Sequence, residues 1–264
     1  RMMKMIAALG LLVLTLVAGT SVTLAQDGSI LPSSWHLNGI QHIYQGWNNC
    51  GPATLTMGLT YFGYSNDQNP AAQWLKPNSE DKNVSPWQMA EYVNNQIGGT
   101  TYALVRQGGT LERLKELIAN NFVVIIEEGY DPPGENLGWM GHYLLISGYD
   151  DAAQQFISQD SYEGPNMLYS YDHINEYWEH FNHLYIVLYD VSREAELMAL
   201  LGTDADELQN FQNALVQATD AARADQSNAF AWFNIGTNYT ALGEYERAAA
   251  AYDQARNVGL PWRM

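Results

Sequence analysis

Cys50 is the single cysteine in 264 residues. It stands where a loop turns into a helix, in the stretch Gln45-Gly46-Trp47-Asn48-Asn49-Cys50-Gly51-Pro52-Ala53-Thr54-Leu55. Leu55, Leu59 and Phe62, with Met57 and Tyr61, recur at helical spacing and predict a helix of about three turns from Ala53. Pro52 suits a first turn, where its missing N–H would have had no intrahelical partner. A sulfur at that helix start meets unpaired N–H groups and the positive end of the macrodipole. Both favour the thiolate and lower the thiol pKa. The alternative for Cys50 is inert packing, since free cysteine is among the most buried residue types.

A thiolate nucleophile needs a base, and the base needs an orienting partner. His142 opens the run His142-Tyr143-Leu144-Leu145-Ile146-Ser147-Gly148-Tyr149, and Gln155-Phe156-Ile157-Ser158-Gln159 reads as its hairpin partner. A turn centred on Asp151 sets Tyr149 opposite Ala153 and His142 opposite Asp160. Residues so paired have Cβ atoms about 4.5–5.5 Å apart. Asp160 can then hold one ring nitrogen of His142 and leave the other for Cys50. Asp150 and Asp151 are poorer partners, being roughly 26 Å along the strand at about 3.3 Å per residue. A register error of two residues keeps Asp160 on the face of His142; an error of one does not. Acyl transfer also needs donors for the developing oxyanion. The backbone N–H of Cys50 is one, and the Gln45 side chain offers another. A solvated loop residue is the alternative for Gln45.

These groups need elements to carry them. Trp35 to Tyr44 reads as extended, and 64–85 as loop, rich in Asn, Asp and Pro. Ser85-Pro86 with Gln88 opens a helix that runs to Ile97 and closes at Gly98-Gly99. Thr101 to Arg106 reads as a strand, and Leu111 to Asn120 as a helix begun by Thr110. Phe122-Val123-Val124-Ile125-Ile126 is a β-branched run that predicts a buried central strand. Tyr171 to His180 reads as helix and Leu184 to Tyr189 as a last strand. Helices first and antiparallel strands after predict an α+β domain over residues 40–190.

The ends differ in character. Residues 1–25 carry Arg1 and Lys4, an apolar run from Ile6 to Ala18, and Thr23-Leu24-Ala25 as a cleavage site, which together predict a signal peptide. Residues 26–39 form a lead-in. Export follows, to a secreted or extracytoplasmic location, whereas an uncleaved segment would leave the chain membrane-anchored. Loss of those 25 residues removes two cations and no acid, taking the formal charge from −17 to −19. So acidic a chain excludes nucleic acid as a partner and disfavours stable membrane association after cleavage. Residues 191–203 read as a linker. Residues 204–264 then become Ala-, Glu- and Gln-rich with helical periodicity, and Trp232, Ile235, Gly236, Tyr239, Ala248, Tyr252, Ala255 and Pro261 fit the tetratricopeptide repeat pattern. So few repeats rarely stand alone, which predicts that this hairpin packs on the first domain. A stabilising cap and a protein-binding surface are the two roles open to it.

The motifs together carry a resemblance. Gln45 with Asn49-Cys50-Gly51-Pro52-Ala53-Thr54-Leu55, Gly141-His142-Tyr143 and Gln159-Asp160 resembles the papain-like cysteine peptidases of family thirty-nine, the bacteriocin-processing peptidases and their stand-alone exported relatives. The resemblance covers about Ile40 to Tyr189. It implies a papain-like fold, Cys50 as nucleophile, His142 as general acid and base, Asp160 as orienter and Gln45 as oxyanion donor. Relatives carry Asp-Pro where this chain has Asp160-Ser161. The sequence shows no transporter domain, so the leader-peptide substrate of the bacteriocin processors is not carried over.

The reading is therefore an exported cysteine peptidase acting on a peptide or protein substrate. A non-catalytic peptide-binding module, using a degenerate groove and the repeat helices, is the alternative. Acyl transfer to an amine would use the same residues. His180 and His183, near Glu176 and Glu179, have a spacing that could hold a metal, but a solvent-exposed helix end is the expectation. No cofactor or metal is expected. Trp47, Trp87 and Trp139 are candidates for the walls of a substrate groove.

Overall fold

The computed structural model describes residues 31–78, 83–131, 138–261 and 264. The expected signal peptide, 1–25, lies outside the described residues. In chain order the elements are β1 (Ser34–His36), α1 (Cys50–Thr60), α2 (Asn69–Leu75), α3 (Pro86–Tyr92), β2 (Thr101–Arg106), α4 (Leu111–Ala119), β3 (Val123–Tyr130) and β4 (Met140–Asp150). There follow β5 (Gln155–Asp160), β6 (Gly164–Ser170), α5 (Tyr171–Glu179), β7 (Tyr185–Asp190), α6 (Glu194–Leu201), α7 (Glu207–Ala224), α8 (Ala229–Ala241) and α9 (Tyr245–Val258). A π-helical turn, Val93–Ile97, continues α3 up to Gly98, whose φ of 70° ends it. Among the described residues the strands form one antiparallel sheet ordered β2-β7-β3-β4-β5-β6, with β1 paired to the far end of β4. Helices laid on an antiparallel sheet make this an α+β fold.

The β-branched run 123–126 becomes the middle of that sheet, flanked by β7 and β4, with Val123 to Ile126 fully buried. β-branched side chains on a pleated surface with a neighbour on each side bury fully, which is what favours them there. α1 lies against β3, β4 and β7. Gly58 makes that approach possible, since a Cβ at this position would stand 2.7 Å from Leu188 Cδ1 and 3.4 Å from Val123 Cγ1. α4 is capped by Thr110, whose hydroxyl accepts from Arg113 N, and it buries Leu114, Leu117 and Ile118.

Several expectations are corrected. The stretch 64–85 is not all loop: α2 forms inside it, with Pro70 in its first turn and Ala71 and Leu75 buried. Trp35 to Tyr44 is strand only at its start, and that strand begins inside the supposed lead-in. β6 had no strand pattern to reveal it, because as the edge strand it alternates weakly and exposes Leu168. The linker stretch 191–203 carries α6, which buries Leu197 and Leu201 in the main core.

The register of β4 on β5 also differs. Asp160 stands opposite Leu144, and His142 is opposite Glu128 on the other neighbour, β3. The turn is centred later than Asp151, with Gln154 at a φ of 54°, and a bulge at Ser147 shifts the ladder again. Net displacement is two residues, so Asp160 stays on the face of His142.

The C-terminal helices pack on the rest of the chain. Asn210 of α7 is buried and accepts from Gln107 N while donating to Gln107 O, each at 2.8 Å, so its amide substitutes for a neighbouring strand. Arg106 donates to Asp204 O and Ala205 O, both at 2.6 Å, and ties the turn before α7 to β2. A second, smaller apolar cluster joins α7, α8 and α9 through Ala218, Ala222, Ala231, Ile235 and Ala251. Gly236 is the close-approach point of that hairpin: a Cβ there would stand 2.6 Å from the Tyr252 ring. Among the described residues, no helix is long and apolar enough to cross a membrane.

Two stability measurements follow from this packing. Asn210→Leu strands the Gln107 N–H and C=O away from water, at a cost of about 1–3 kcal/mol for each group left unpaired. Urea unfolding of the full chain reads it, and an unchanged midpoint would contradict the docking. Gly236→Val forces α8 off Tyr252 and lowers stability by about 1–3 kcal/mol in the same assay.

Candidate active site

Cys50 is the first residue of α1, and the loop that delivers it is held by residues the sequence left as featureless. Gln68 Oε1 accepts from Gly46 N at 2.9 Å and from Asn49 Nδ2 at 2.7 Å, while Gln68 Nε2 donates to Tyr44 O at 2.8 Å. Lys76 Nζ donates to Asn48 O at 2.6 Å, where Asn48 takes a left-handed φ of 51°. Thr54 Oγ1 donates to Tyr143 O at 3.1 Å and fixes the first turn of α1 against β4. Gln68 and Lys76 flank α2, so missing that helix hid the clamp. No local pattern announces such a contact.

His142 lies on β4 two residues beyond the last β5 pair, at Leu144. Its Nε2 is 2.8 Å from Asp160 Oδ1, with both side chains buried. The remaining nitrogen is left for Cys50, whose ionisation is coupled to that of His142. Asp160 is itself held: Oδ1 accepts from Tyr162 N at 2.8 Å and Glu163 N at 3.1 Å, and Oδ2 from the Tyr169 hydroxyl at 2.6 Å. Tyr130 packs its ring 5.0 Å from that of His142. Three of the four sequence candidates therefore meet in one chain of contacts, Cys50 to His142 to Asp160.

The fourth joins through Ser161. Ser161 O accepts from Gln45 N at 2.8 Å, and Ser161 Oγ donates to Gln45 Oε1 at 2.9 Å. Gripping the amide by its oxygen leaves Nε2 as the outward donor. The hydroxyl that makes this bond is one a proline at 161 would lack. Ser161 is fully buried, and its type alone gave no sign of this.

The charges are coupled. Burial pushes the Cys50 thiol up, but the hydrogen bond and charge of His142, with backbone bonds from Tyr143 and Gly51, outweigh it and hold the thiol below its ordinary value. Burial would lower the His142 imidazole, but Asp160 and Cys50 raise it to about 10. Burial likewise opposes ionisation of Asp160, yet His142, Tyr169 and Tyr162 N bring it down to about 2. All three directions favour thiolate, imidazolium and carboxylate together.

Two further carboxyls flank the pair. Glu127 and Glu128 are consecutive on β3, so they face opposite sides of the sheet, opposite Tyr143 and His142 respectively. Burial raises both to about 8. A cavity of about 560 Å³ adjoins Cys50, with Glu127, Tyr143, Trp87, Trp139 and Phe233 among its walls. Trp47, by contrast, is 91% exposed and outside it.

His180 and His183 are corrected from a solvated helix end. His180 is buried, stacks on Phe230 with ring centroids 3.6 Å apart, and accepts from Trp139 Nε1 at 3.1 Å through Nδ1. Burial lowers both imidazoles to about 4, so both are neutral near pH 7. Their neighbour Glu179 is taken up by Asn228 Nδ2, at 2.9 and 3.0 Å.

No curated protein matches the sequence. Among solved structures, a C39-like peptidase from Bacillus anthracis is 15% identical, over 60% of this chain and 98% of its own, with a TM-score of 0.46. Xylellain, a cysteine protease from Xylella fastidiosa, is 13% identical over 61% of this chain and 87% of its own, with a TM-score of 0.47. The peptidase domain of Streptococcus ComA, a bifunctional ABC transporter, is 16% identical over 57% and 98%, with a TM-score of 0.44. The sequence model of the Peptidase_C39 like family matches residues 35–188, more than half of the chain and a span that holds Gln45, Cys50, His142 and Asp160. The chain therefore belongs to the Peptidase_C39 like family of cysteine peptidases.

Proposed function

We propose that this chain is an exported cysteine peptidase that hydrolyses peptide bonds through Cys50, His142 and Asp160, with Gln45 as an oxyanion donor. The observation that carries the reading is the single imidazole held by a carboxylate at 2.8 Å and coupled in its ionisation to a thiol at a helix start. Cys50 as thiolate attacks the substrate carbonyl carbon, and the carbonyl electrons move to oxygen. The N–H groups at the start of α1 and the Nε2 of Gln45 stabilise that oxyanion. His142 gives its proton to the leaving amine, the C–N bond breaks, and a thioester remains. Water, deprotonated by His142, then attacks the thioester and frees the acid and the thiolate. Asp160 keeps the imidazole oriented and supports its positive form.

Export rests on the composition of residues 1–25, and the C-terminal helices are read as tetratricopeptide-like from the pattern at Trp232, Gly236, Ala248 and Tyr252. A mature protein recovered outside the cytoplasm of an expressing bacterium is expected to begin at Gln26 by N-terminal sequencing. Retention of residues 1–25 would instead favour an anchored form.

A thiol-directed peptide electrophile tests the chemistry. The native protein is expected to be labelled at Cys50, whereas Cys50→Ala takes no label and has no peptidase activity. Equal labelling of both proteins sinks the proposal.

The pH profile of kcat/KM tests the electrostatics. Activity is expected to appear well below the pH at which an ordinary thiol ionises, since the Cys50 pKa is depressed. It falls on the basic side near pH about 10, where His142 loses its proton. Both apparent values belong to the coupled pair. Asp160→Asn removes the anion that raises His142, so the basic limb moves to lower pH, and kcat/KM drops on the order of 10²-fold.

Gln45→Ala is expected to lower kcat on the order of 10²-fold with KM little changed. Ser161→Ala frees the same amide to turn and gives a smaller loss of the same kind. A rise in KM alone for either variant would place Gln45 in substrate binding rather than oxyanion stabilisation.

A further inference from the structure

The cavity beside Cys50 is built from two parts of the chain. Glu127 of β3 and Tyr143 of β4 form one side, and Phe233, Asn234 and Thr237 of α8 form another. α8 is fixed there by a set of polar contacts to the turn after α5. Asn234 Nδ2 donates to Glu179 O at 2.7 Å, and Asn182 and Asn238 exchange side-chain bonds at 2.8 and 3.2 Å. Phe230 adds the stack on His180. The C-terminal hairpin is thus a wall of the cleft, not an appendage to it.

Glu127 is the carboxyl in that lining, and its neighbours are the Tyr143 hydroxyl, which donates to Val84 O at 2.7 Å, and the Cys50 thiol. Asp160, by comparison, has His142. Among the described residues around the cavity there is no lysine or arginine. Taking a carboxylate out of water is costly, and a buried one normally has a cation to offset the loss. Burial pushes Glu127 up to about 8, which keeps it protonated near neutrality. An ammonium or guanidinium group entering beside it would release that proton to solvent and pair with the carboxylate. The aromatic faces of Trp87, Trp139 and Phe233 suit both the aliphatic stem and the charged head of such a side chain. A volume of about 560 Å³ falls in the range of sites that enclose a ligand.

We propose that this cavity is a specificity subsite that takes a lysine or arginine side chain next to the scissile bond, with Glu127 selecting positive charge and α8 closing the pocket. The proposal rests on Cys50 being the nucleophile. It names the substrate class: basic peptides, which an acidic chain of charge −17 also attracts from a distance.

The test uses the full chain and a set of peptidyl acyloxymethyl ketones that differ only at the residue beside the reactive group: lysine, arginine, norleucine or glutamate. The rate of Cys50 labelling is read by mass spectrometry. Lysine and arginine probes are expected to react about tenfold faster than norleucine, the kind of ratio one well-placed contact supplies, and glutamate more slowly still. The lysine-to-norleucine ratio within each variant cancels any general loss of reactivity. Glu127→Gln should bring that ratio close to one. Thr237→Lys, which adds a cation from α8 without touching β3, should lower it too and serves if Glu127→Gln does not fold. Equal rates for lysine and norleucine in the native protein, or an unchanged ratio in Glu127→Gln, overturn the subsite and leave the peptidase reading standing. Failure of every probe and of iodoacetamide to label Cys50 overturns both.

Discussion

The structure depends on one contact: the Cys50 thiol against the free nitrogen of His142. The thiol belongs to a helix start and the imidazole to a strand, so neither element alone can make the pair. The contact exists because α1 packs flush on the sheet, with Gly58 at its closest point and Thr54 bonded to the backbone of β4. A shift of α1 by a single turn, about 5.4 Å, would separate sulfur from ring. Everything that holds α1 in place therefore also holds the chemistry. The Gln68 and Lys76 clamps on the preceding loop belong to that set as much as the core leucines do.

That contact sits in a setting that would otherwise suppress charge. Burial works against the charged forms of all three residues, yet the hydrogen bonds among them reverse the outcome for each. The imidazole is the hinge: with Asp160 at 2.8 Å it gains a proton, and as a cation it draws the proton from the thiol. Removing His142 would leave two buried acidic groups without a cation, which is worse than a neutral site. Glu127 and Glu128 show the contrast. They lie on the neighbouring strand at similar depth, lack an equally close cation, and are raised rather than lowered.

The C-terminal helices are bound into this arrangement by buried asparagines rather than by a broad apolar face. Asn210 pairs with the backbone of Gln107, Asn234 with that of Glu179, and Asn238 with Asn182. Such bonds specify one docking geometry, because each polar group left unmatched in the interior is penalised. A wall held in this way can shape a cleft to within the distance that selectivity needs.

Much of this was legible in the sequence. A Cys-Gly-Pro turn opening an apolar helix marked Cys50 as the candidate nucleophile, and continuous apolar runs marked β3 and β4, with β5 as the hairpin partner, because such signals are local. Asp160 was named from a register that proved two residues off, and the choice survived because side chains on a strand return to the same face every two residues. What the tertiary structure alone decided was everything that depends on partners far apart in sequence. Ser161 grips Gln45 across the fold, Gln68 clamps the loop before Cys50, and His180 is buried under Phe230 instead of solvated. The bulge at Ser147, the helix inside 64–85 and the cavity between Glu127 and α8 belong with these. A side chain's type fixes what it can bond to; which partner it meets depends on packing, and packing is settled by the whole chain at once.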